Sequence, residues 1–512
     1  MPAQFSRRLP LALILLAFLL PTLGSARAWP RSDDETPKDA KPAPSDALVT
    51  TQHRLELAGQ GIEYTATAGH LQLQDDAGKP TAKMFFMAYT RTGTEARKRP
   101  ICFTFNGGPG SSSVWLHLGA YGPRRVQLGE QGELPRPPYD FVPNEGSILD
   151  ATDLVFIDPV TTGFSRMAPG REAKEFHGVQ QDIASVGEFI RLYLTRFQRW
   201  ESPKYVAGES YGTTRAAGLA AHLLDRHGIS LNGVILVSAV LNFQTLRSDE
   251  GNDLPYLLYF PSYAATAWFH RKLGPTEQAL MLPELLKQAE EFALGPYLQA
   301  LAQGTRLGAT ELKQVASNMA RLTGLDVDYV LRANLRIEPM RFMKELRRQD
   351  GKTVGRFDSR YIGQDGDGTG ATFEYDPSYA AVQAPYTQVF NQYVRQELKF
   401  ESDLVYEILT GKVQPWDYGD ARNRYLNMAP GLRRTMAQNP HMEVFLASGI
   451  YDLATPYFAA DYTLDHLSFD PAVRRRMTVS MYEAGHMMYL HRPSLLKLRA
   501  DTVEFIKRTS AP

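Results

Sequence analysis

The chain has 512 residues, 43% apolar and 22% charged, with 56 basic residues balanced by 56 acidic ones and a single cysteine, Cys102. That length corresponds to roughly three average domains, the composition is that of a globular protein, and a formal charge of zero gives no electrostatic case for nucleic acid or an anionic membrane as partner. One cysteine excludes an intrachain disulfide, and also Cys-based zinc fingers and iron–sulfur clusters.

The first element is a targeting segment. Arg7 and Arg8 precede the unbroken apolar run of residues 11–20, and Ala26-Arg27-Ala28 follows. A basic start, a short apolar stretch and an A-x-A site predict a signal peptide over residues 1–28. The run is about half the length a bilayer span needs, so no stable membrane insertion is expected after cleavage. An exported chain without disulfides points to a bacterial periplasm or secretion. Residues 29–47 are rich in Pro and charge and predict a disordered leader.

From residue 48 the pattern is of strands. Leu55 and Leu57, then Leu71 and Leu73, alternate with polar neighbours, and Asp75-Asp76-Ala77-Gly78 reads as a turn before residues 82–89. This predicts an antiparallel β meander. Beyond residue 100 the rhythm changes. Compact apolar strands are predicted at 101–105, 154–157, 204–207 and 233–240, and helices at 179–197 and 213–226, with Gly228 as a stop. Strands alternating with helices predict an α/β layer with a mostly parallel sheet. The alternation breaks at about residue 244, and the chain is helix-patterned without obvious strands to 439. It resumes with strands at 442–447 and 477–482 and a last helix at 493–508. The expected organisation is a core of residues 48–243 and 440–512, interrupted by a helical insertion at 244–439.

The strongest chemical signal is Gly208-Glu209-Ser210-Tyr211-Gly212, a G-x-S-x-G sequence between a predicted strand and a predicted helix. That context is the one a nucleophile elbow requires. The Tyr211 N–H then opens the helix as an oxyanion donor. Asn106-Gly107-Gly108-Pro109-Gly110 also follows a strand, where α/β-hydrolases place their second oxyanion donor. Ser111, Ser112 and Ser113 behind it lack the elbow pattern. A serine nucleophile of this kind needs an acid and then a histidine later in the chain. Four of the eleven histidines lie beyond the insertion. His486 follows the strand at 477–482. His441 precedes its strand, His466 falls on a helix-like segment, and His491 caps the last helix. The acid is Asp452, just past the strand at 442–447, where parallel-sheet sites lie.

These residues resemble the serine carboxypeptidases, peptidase family S10. Asn106–Ser113 (NGGPGSSS) is similar to that family's NGGPGCSS signature, and Gly208–Gly212 (GESYG) to its G-E-S-Y-[AG] motif. Pro159-Val160 with Gly163-Phe164-Ser165 resembles part of D-x-P-x-G-x-G-[FY]-S, Gly449–Asp452 resembles G-D-x-D, and Gly485-His486-Met487 resembles G-H-M. The resemblance implies an α/β-hydrolase fold whose insertion is a helical cap. It implies Ser210 as nucleophile, His486 as base and Asp452 as its orienter, with Gly108 and Tyr211 as oxyanion donors. Asn106 and Glu209 match positions that bind a peptide's free C-terminal carboxylate. No cofactor or metal is implied. A carboxyl group donates to a carboxylate only while protonated, so peptidase activity is expected to favour acid pH, with ester or amide hydrolysis persisting higher. The chain departs from the family at Thr104, where tryptophan is usual, and at Ala120, where a carboxylate-binding Glu often stands. Ser111 replaces the signature cysteine. An esterase or amidase with the same triad, and a binding protein that kept the fold, are the alternative readings.

Weaker signals remain. Asp365 to Asp376 grazes a calcium-loop pattern but reads better as a Gly/Asp surface loop. Arg474-Arg475-Arg476 reads as a solvated turn. Tyr256, Tyr259, Phe260, Tyr263, Trp268 and Phe269 either line a substrate pocket or pack the cap. Cys102 reads as a buried core thiol.

Overall fold

The computed structural model describes residues 48–467 and 470–511; the predicted signal peptide and leader lie outside the described residues. Ten strands make one sheet. In chain order they are β1 (Val49–Leu57), β2 (Gln60–Gln74), β3 (Pro80–Arg91), β4 (Ile101–Phe105), β5 (Asp153–Ile157), β6 (Arg166–Met167), β7 (Lys204–Glu209), β8 (Gly233–Val237), β9 (Glu443–Gly449) and β10 (Met477–Tyr482). Their spatial order is β1-β2-β3-β5-β4-β7-β8-β9-β10, with β6 paired to β3. The strands from β5 to β10 along this order are parallel, and β1, β2 and β3 form an antiparallel meander at one edge.

Both faces of the inner parallel strands are covered, which is why they read mostly as apolar runs rather than as alternation, whereas the edge strand β10 is partly exposed. Cys102, Leu154, Tyr205, Ile235 and Phe445 enter the apolar cluster on one face. Their neighbours Ile101, Phe103, Val155, Val206, Val234 and Val444 enter the cluster on the other. Helices α1 (Val179–Arg196) and α2 (Tyr211–His227) cover the second face, and the helix Arg492–Ser510 covers the first. Helix α2 stops at Gly228, whose φ of +63° is the left-handed conformation a C-terminal cap uses. This is the α/β-hydrolase architecture with its N-terminal meander.

Between β8 and β9 the chain is mainly helical. Leu254–Phe269 and the helices after it bury Tyr256, Tyr259, Phe260 and Tyr263 in an apolar cluster of their own. These four aromatics therefore pack the insertion, Trp268 is partly buried against the same cluster, and Phe269 is exposed. Two features differ from the sequence expectation. A short antiparallel pair, Lys352–Val354 with Ile362–Gln364, lies where no strands are predicted. The helix Pro377–Gln396 buries Val382, Tyr386, Val389, Phe390 and Tyr393 in the cluster of the main sheet, not in that of the insertion. Helical spacing reports which face is apolar but not what it packs on.

The direction of the chain reverses between β4 and β7. From β4 it passes to β5 on one side, and from β7 it passes to β8 on the other. In a parallel sheet such a switch leaves a crevice at the carboxyl ends of the two strands, where ligands bind.

Candidate active site

The crevice between β4 and β7 is walled by the two glycine-rich loops the sequence singles out. Strand β7 ends at Glu209 and α2 begins at Tyr211, so Ser210 makes the whole turn. Its φ of +59° and ψ of −130° are sparsely populated for a residue with a side chain. Such strain persists only where neighbours over-determine it. Here the Ser210 N–H donates to the Val237 carbonyl at 3.0 Å, and the Ser210 carbonyl accepts from the Thr213 N–H at 2.8 Å. A Cβ on Gly208 would lie 2.1 Å from the Gly212 carbonyl oxygen, so only glycine lets strand and helix meet this closely. The Tyr211 N–H belongs to the first turn of α2 and has no acceptor within the helix.

The loop after β4 lies directly on this elbow. A Cβ on Gly107 would sit 2.4 Å from the Tyr211 backbone nitrogen. Arg215, fully buried on α2, fixes the loop: it donates to the Asn106 carbonyl at 2.6 Å and pairs with Asp182 of α1 at 2.8 Å. The Asn106 side-chain carbonyl accepts from the Leu116 N–H at 3.1 Å, while its amide nitrogen is buried without a partner. Ser113 donates through both N–H and hydroxyl to Asp158, and Ser111 accepts from the Trp115 indole, so both hydroxyls serve the loop's packing. Ala120 is buried in the π-helical turn Leu116–Tyr121, and Thr104 is buried beside the Cys102 thiol. Burial pushes the Cys102 thiol up to about 12, the state of an inert core cysteine.

Two further strand ends bring the acid and the histidine. Asp452 follows β9, and His486 follows β10. The Asp452 carboxylate lies 2.7 Å from His486 Nδ1 and is fully buried. It also accepts from the N–H groups of Ala454 and Thr455 at 2.7 and 2.9 Å, and from the Thr455 hydroxyl at 2.8 Å. With its lone pairs so occupied, the carboxylate holds the imidazole in one orientation. Burial, the largest single influence, lowers the His486 pKa; Asp452 and Glu209 together outweigh it, and the net shift is upward.

Ser210, His486, Asn106, Gly108 and Glu209 all line one cavity of about 190 Å³, with Trp115, Arg356, Phe357, Tyr379, Leu409 and Met487 among its other walls. Glu209 is buried and accepts from the Tyr489 hydroxyl at 2.7 Å. Burial pushes its carboxyl up to about 7, against the opposing pull of His486. The group is therefore protonated in mildly acid solution and able to donate.

Of the residues predicted from sequence, Asn106, Gly108, Glu209, Ser210 and His486 line this cavity, Asp452 stands behind His486, and Tyr211 follows Ser210 at the start of α2 without lining it. Sequence reasoning missed Arg215, Thr455, Tyr489, Arg356 and Phe357. Thr455 and Tyr489 lie three residues past Asp452 and His486, a spacing that could have marked them, whereas Arg215 carries no local signal. Arg356 and Phe357 come from the insertion and carry no such signal. Of the weaker signals, Asp365 pairs with Lys344 at 2.5 Å and Asp376 caps the helix Pro377–Gln396. Arg476 is not a solvated turn residue: it donates to the carbonyls of Met436, Asn439 and Met442. His491 caps the last helix and His466 ends the helix Tyr457–Asp465.

The chain is similar to known proteins. Pheromone-processing carboxypeptidase KEX1 of Pyricularia oryzae is 28% identical over 169 residues, which are 33% of this chain and 24% of that protein. Serine carboxypeptidase-like 36 of Arabidopsis thaliana is 28% identical over 224 residues, 42% of each chain. The matches span less than half the length of either relative. The crystal structure of KEX1(delta)p, a prohormone-processing carboxypeptidase from Saccharomyces cerevisiae, covers 87% of this chain and 91% of its own with a TM-score of 0.53 at 18% identity, a likeness of fold. A family model described as serine carboxypeptidase matches residues 58–496, and the chain belongs to that family, peptidase S10.

Proposed function

We propose that the protein is a serine carboxypeptidase that releases C-terminal residues from peptides through an acyl-enzyme on Ser210. The observation that carries the reading is one cavity holding Ser210, an Asp452-oriented His486 and a buried carboxyl, Glu209. His486 takes the Ser210 proton as the hydroxyl attacks the last peptide carbonyl, and it returns that proton to the leaving amine. Asp452 stabilises the imidazolium that forms in between. The N–H groups of Gly108 and Tyr211 meet the developing oxyanion, an interaction worth ~10²–10³ in rate for each donor. Water then attacks the acyl-enzyme by the same route in reverse. Asn106 and protonated Glu209 bind the terminal carboxylate.

An esterase or amidase reading is favoured by one observation: a buried alanine, Ala120, stands where the family often carries a carboxylate-binding Glu. We also propose export to the periplasm or medium, on the sequence pattern of residues 1–28; among the described residues no helix is long and apolar enough to cross a membrane. The test is a fluorophosphonate probe with a substrate pair. Labelling present in the native protein and lost in Ser210→Ala supports the nucleophile. Faster hydrolysis of a blocked dipeptide with a free C-terminus than of its C-terminal amide supports the carboxypeptidase, and the reverse order supports the alternative.

A further inference from the structure

One wall of the Ser210 cavity belongs to none of the sequence motifs. It is the segment around Arg356 and Phe357, delivered from the insertion. Phe357 stacks its ring on the His486 imidazole, with centroids 5.1 Å apart and planes 25° apart, and its carbonyl accepts from the His486 N–H at 2.5 Å. Arg356 is held on both sides through its backbone. Its N–H donates to Asp376 at 3.1 Å, and its carbonyl accepts from the Leu453 N–H at 3.0 Å. The backbone is fixed while the side chain is exposed, its guanidinium 5.4 Å from the Phe357 ring.

The charge balance of the cavity singles this residue out. The other ionisable groups in its lining are Glu209, His486 and the Tyr379 phenol, so Arg356 is its one permanent cation. It lies close enough to His486 to oppose protonation of that ring. Nearby Arg360 is neutralised by Asp358 at 2.7 Å, whereas no carboxylate among the described residues forms an ion pair with Arg356. An arginine fork that makes no ion pair, facing a cleft of this size, is suited to a planar carboxylate.

We propose that Arg356 is a specificity residue that selects substrates carrying a carboxylate next to the scissile bond. The proposal rests on the hydrolase reading above. The carboxylate has two possible sources, the peptide's C-terminal carboxylate and an acidic side chain on either residue flanking the bond.

Two matched substrate pairs separate them: a blocked dipeptide as acid and as amide, and blocked dipeptides with Glu or Gln beside the bond. In the native protein kcat/KM favours the carboxylate member of at least one pair. Arg356→Ala lowers that preference about 10–100-fold, mainly through KM, as expected for loss of a charge-assisted hydrogen bond. Arg356→Glu lowers it further, and Arg356→Lys restores part of it. The pair that responds identifies the source. Preferences that stay within about twofold in both Arg356→Ala and Arg356→Glu overturn the proposal, as does a native protein indifferent within both pairs. Failure of the underlying hydrolase reading has a different signature: native protein that neither reacts with a fluorophosphonate nor cleaves any of the four substrates.

Discussion

Replacing Glu209 with Gln tests the site through a single proton. Burial raises the Glu209 carboxyl from its ordinary 4.5 to about 7, which corresponds to ~3 kcal/mol against ionising it in place. Below pH 7 the group donates to a substrate carboxylate; above it, two negative charges meet in a buried cavity. The protonated fraction then falls about tenfold for each further pH step. For a peptide with a free C-terminus, kcat/KM of the native protein therefore declines above pH 7, while the matching amide or ester shows no decline there. On the acid side both substrates lose activity together, because each needs neutral His486. Glutamine is always a donor, so in Glu209→Gln the alkaline decline for the free acid disappears. Stability gives a second readout. A carboxyl with a raised folded-state pKa contributes stability that is fully present below 4.5 and is lost as pH rises through about 7. Thermal unfolding of the native protein should show that fall, and Glu209→Gln should flatten it. An alkaline decline that survives in Glu209→Gln at the same pH, or that is equal for acid and ester, refutes the assignment of Glu209.

Two further outcomes follow from contacts deeper in the site. Asp452→Asn presents an amide to His486 Nδ1 and favours the wrong tautomer, so kcat should fall roughly 10⁴-fold with the fold intact; a fall below tenfold, with unchanged circular dichroism, argues against the acid role. Arg215→Met leaves Asp182 buried without its partner and frees the Asn106 carbonyl, a loss of ~3–5 kcal/mol by urea unfolding. Because burial already raises the Asp182 pKa, the carboxyl can escape by protonation, and the destabilisation should be smaller at pH 5 than at pH 8. Equal losses at the two pH values count against the buried-charge explanation.

The parts of this molecule legible in its sequence are those where local chemistry and tertiary role coincide. Strands buried on both faces are mainly apolar, so β4, β5, β7 and β8 stand out as runs such as residues 101–105. The elbow is legible because only glycine tolerates the approach of Gly208 to Gly212. Arg215 is illegible for the opposite reason. A cation on a helix ordinarily faces solvent, and nothing local says that Asp182 of another helix will meet it in the interior. The same holds for the helix Pro377–Gln396, whose spacing shows an apolar face but not that this face returns to the main sheet.

Arg356 and Phe357 show where that boundary has functional weight. The proposed triad and oxyanion positions sit at strand ends, whose placement the sheet dictates, so the sequence order of Ser210, Asp452 and His486 already contains their placement. The remaining wall is contributed by a segment held by the Asp376 carboxylate, the Ser378 hydroxyl, the N–H groups of Leu453 and His486, and the stack on His486. A different insertion could occupy that place without disturbing Asp452 or Ser210, since neither bonds to it. On the proposed reading, the segment that governs selectivity meets the chemistry only at His486. Substitutions at residues 356 and 357 are expected to move substrate preference by larger factors than they move folding stability, and substitutions at Arg215 or Asp182 to do the reverse.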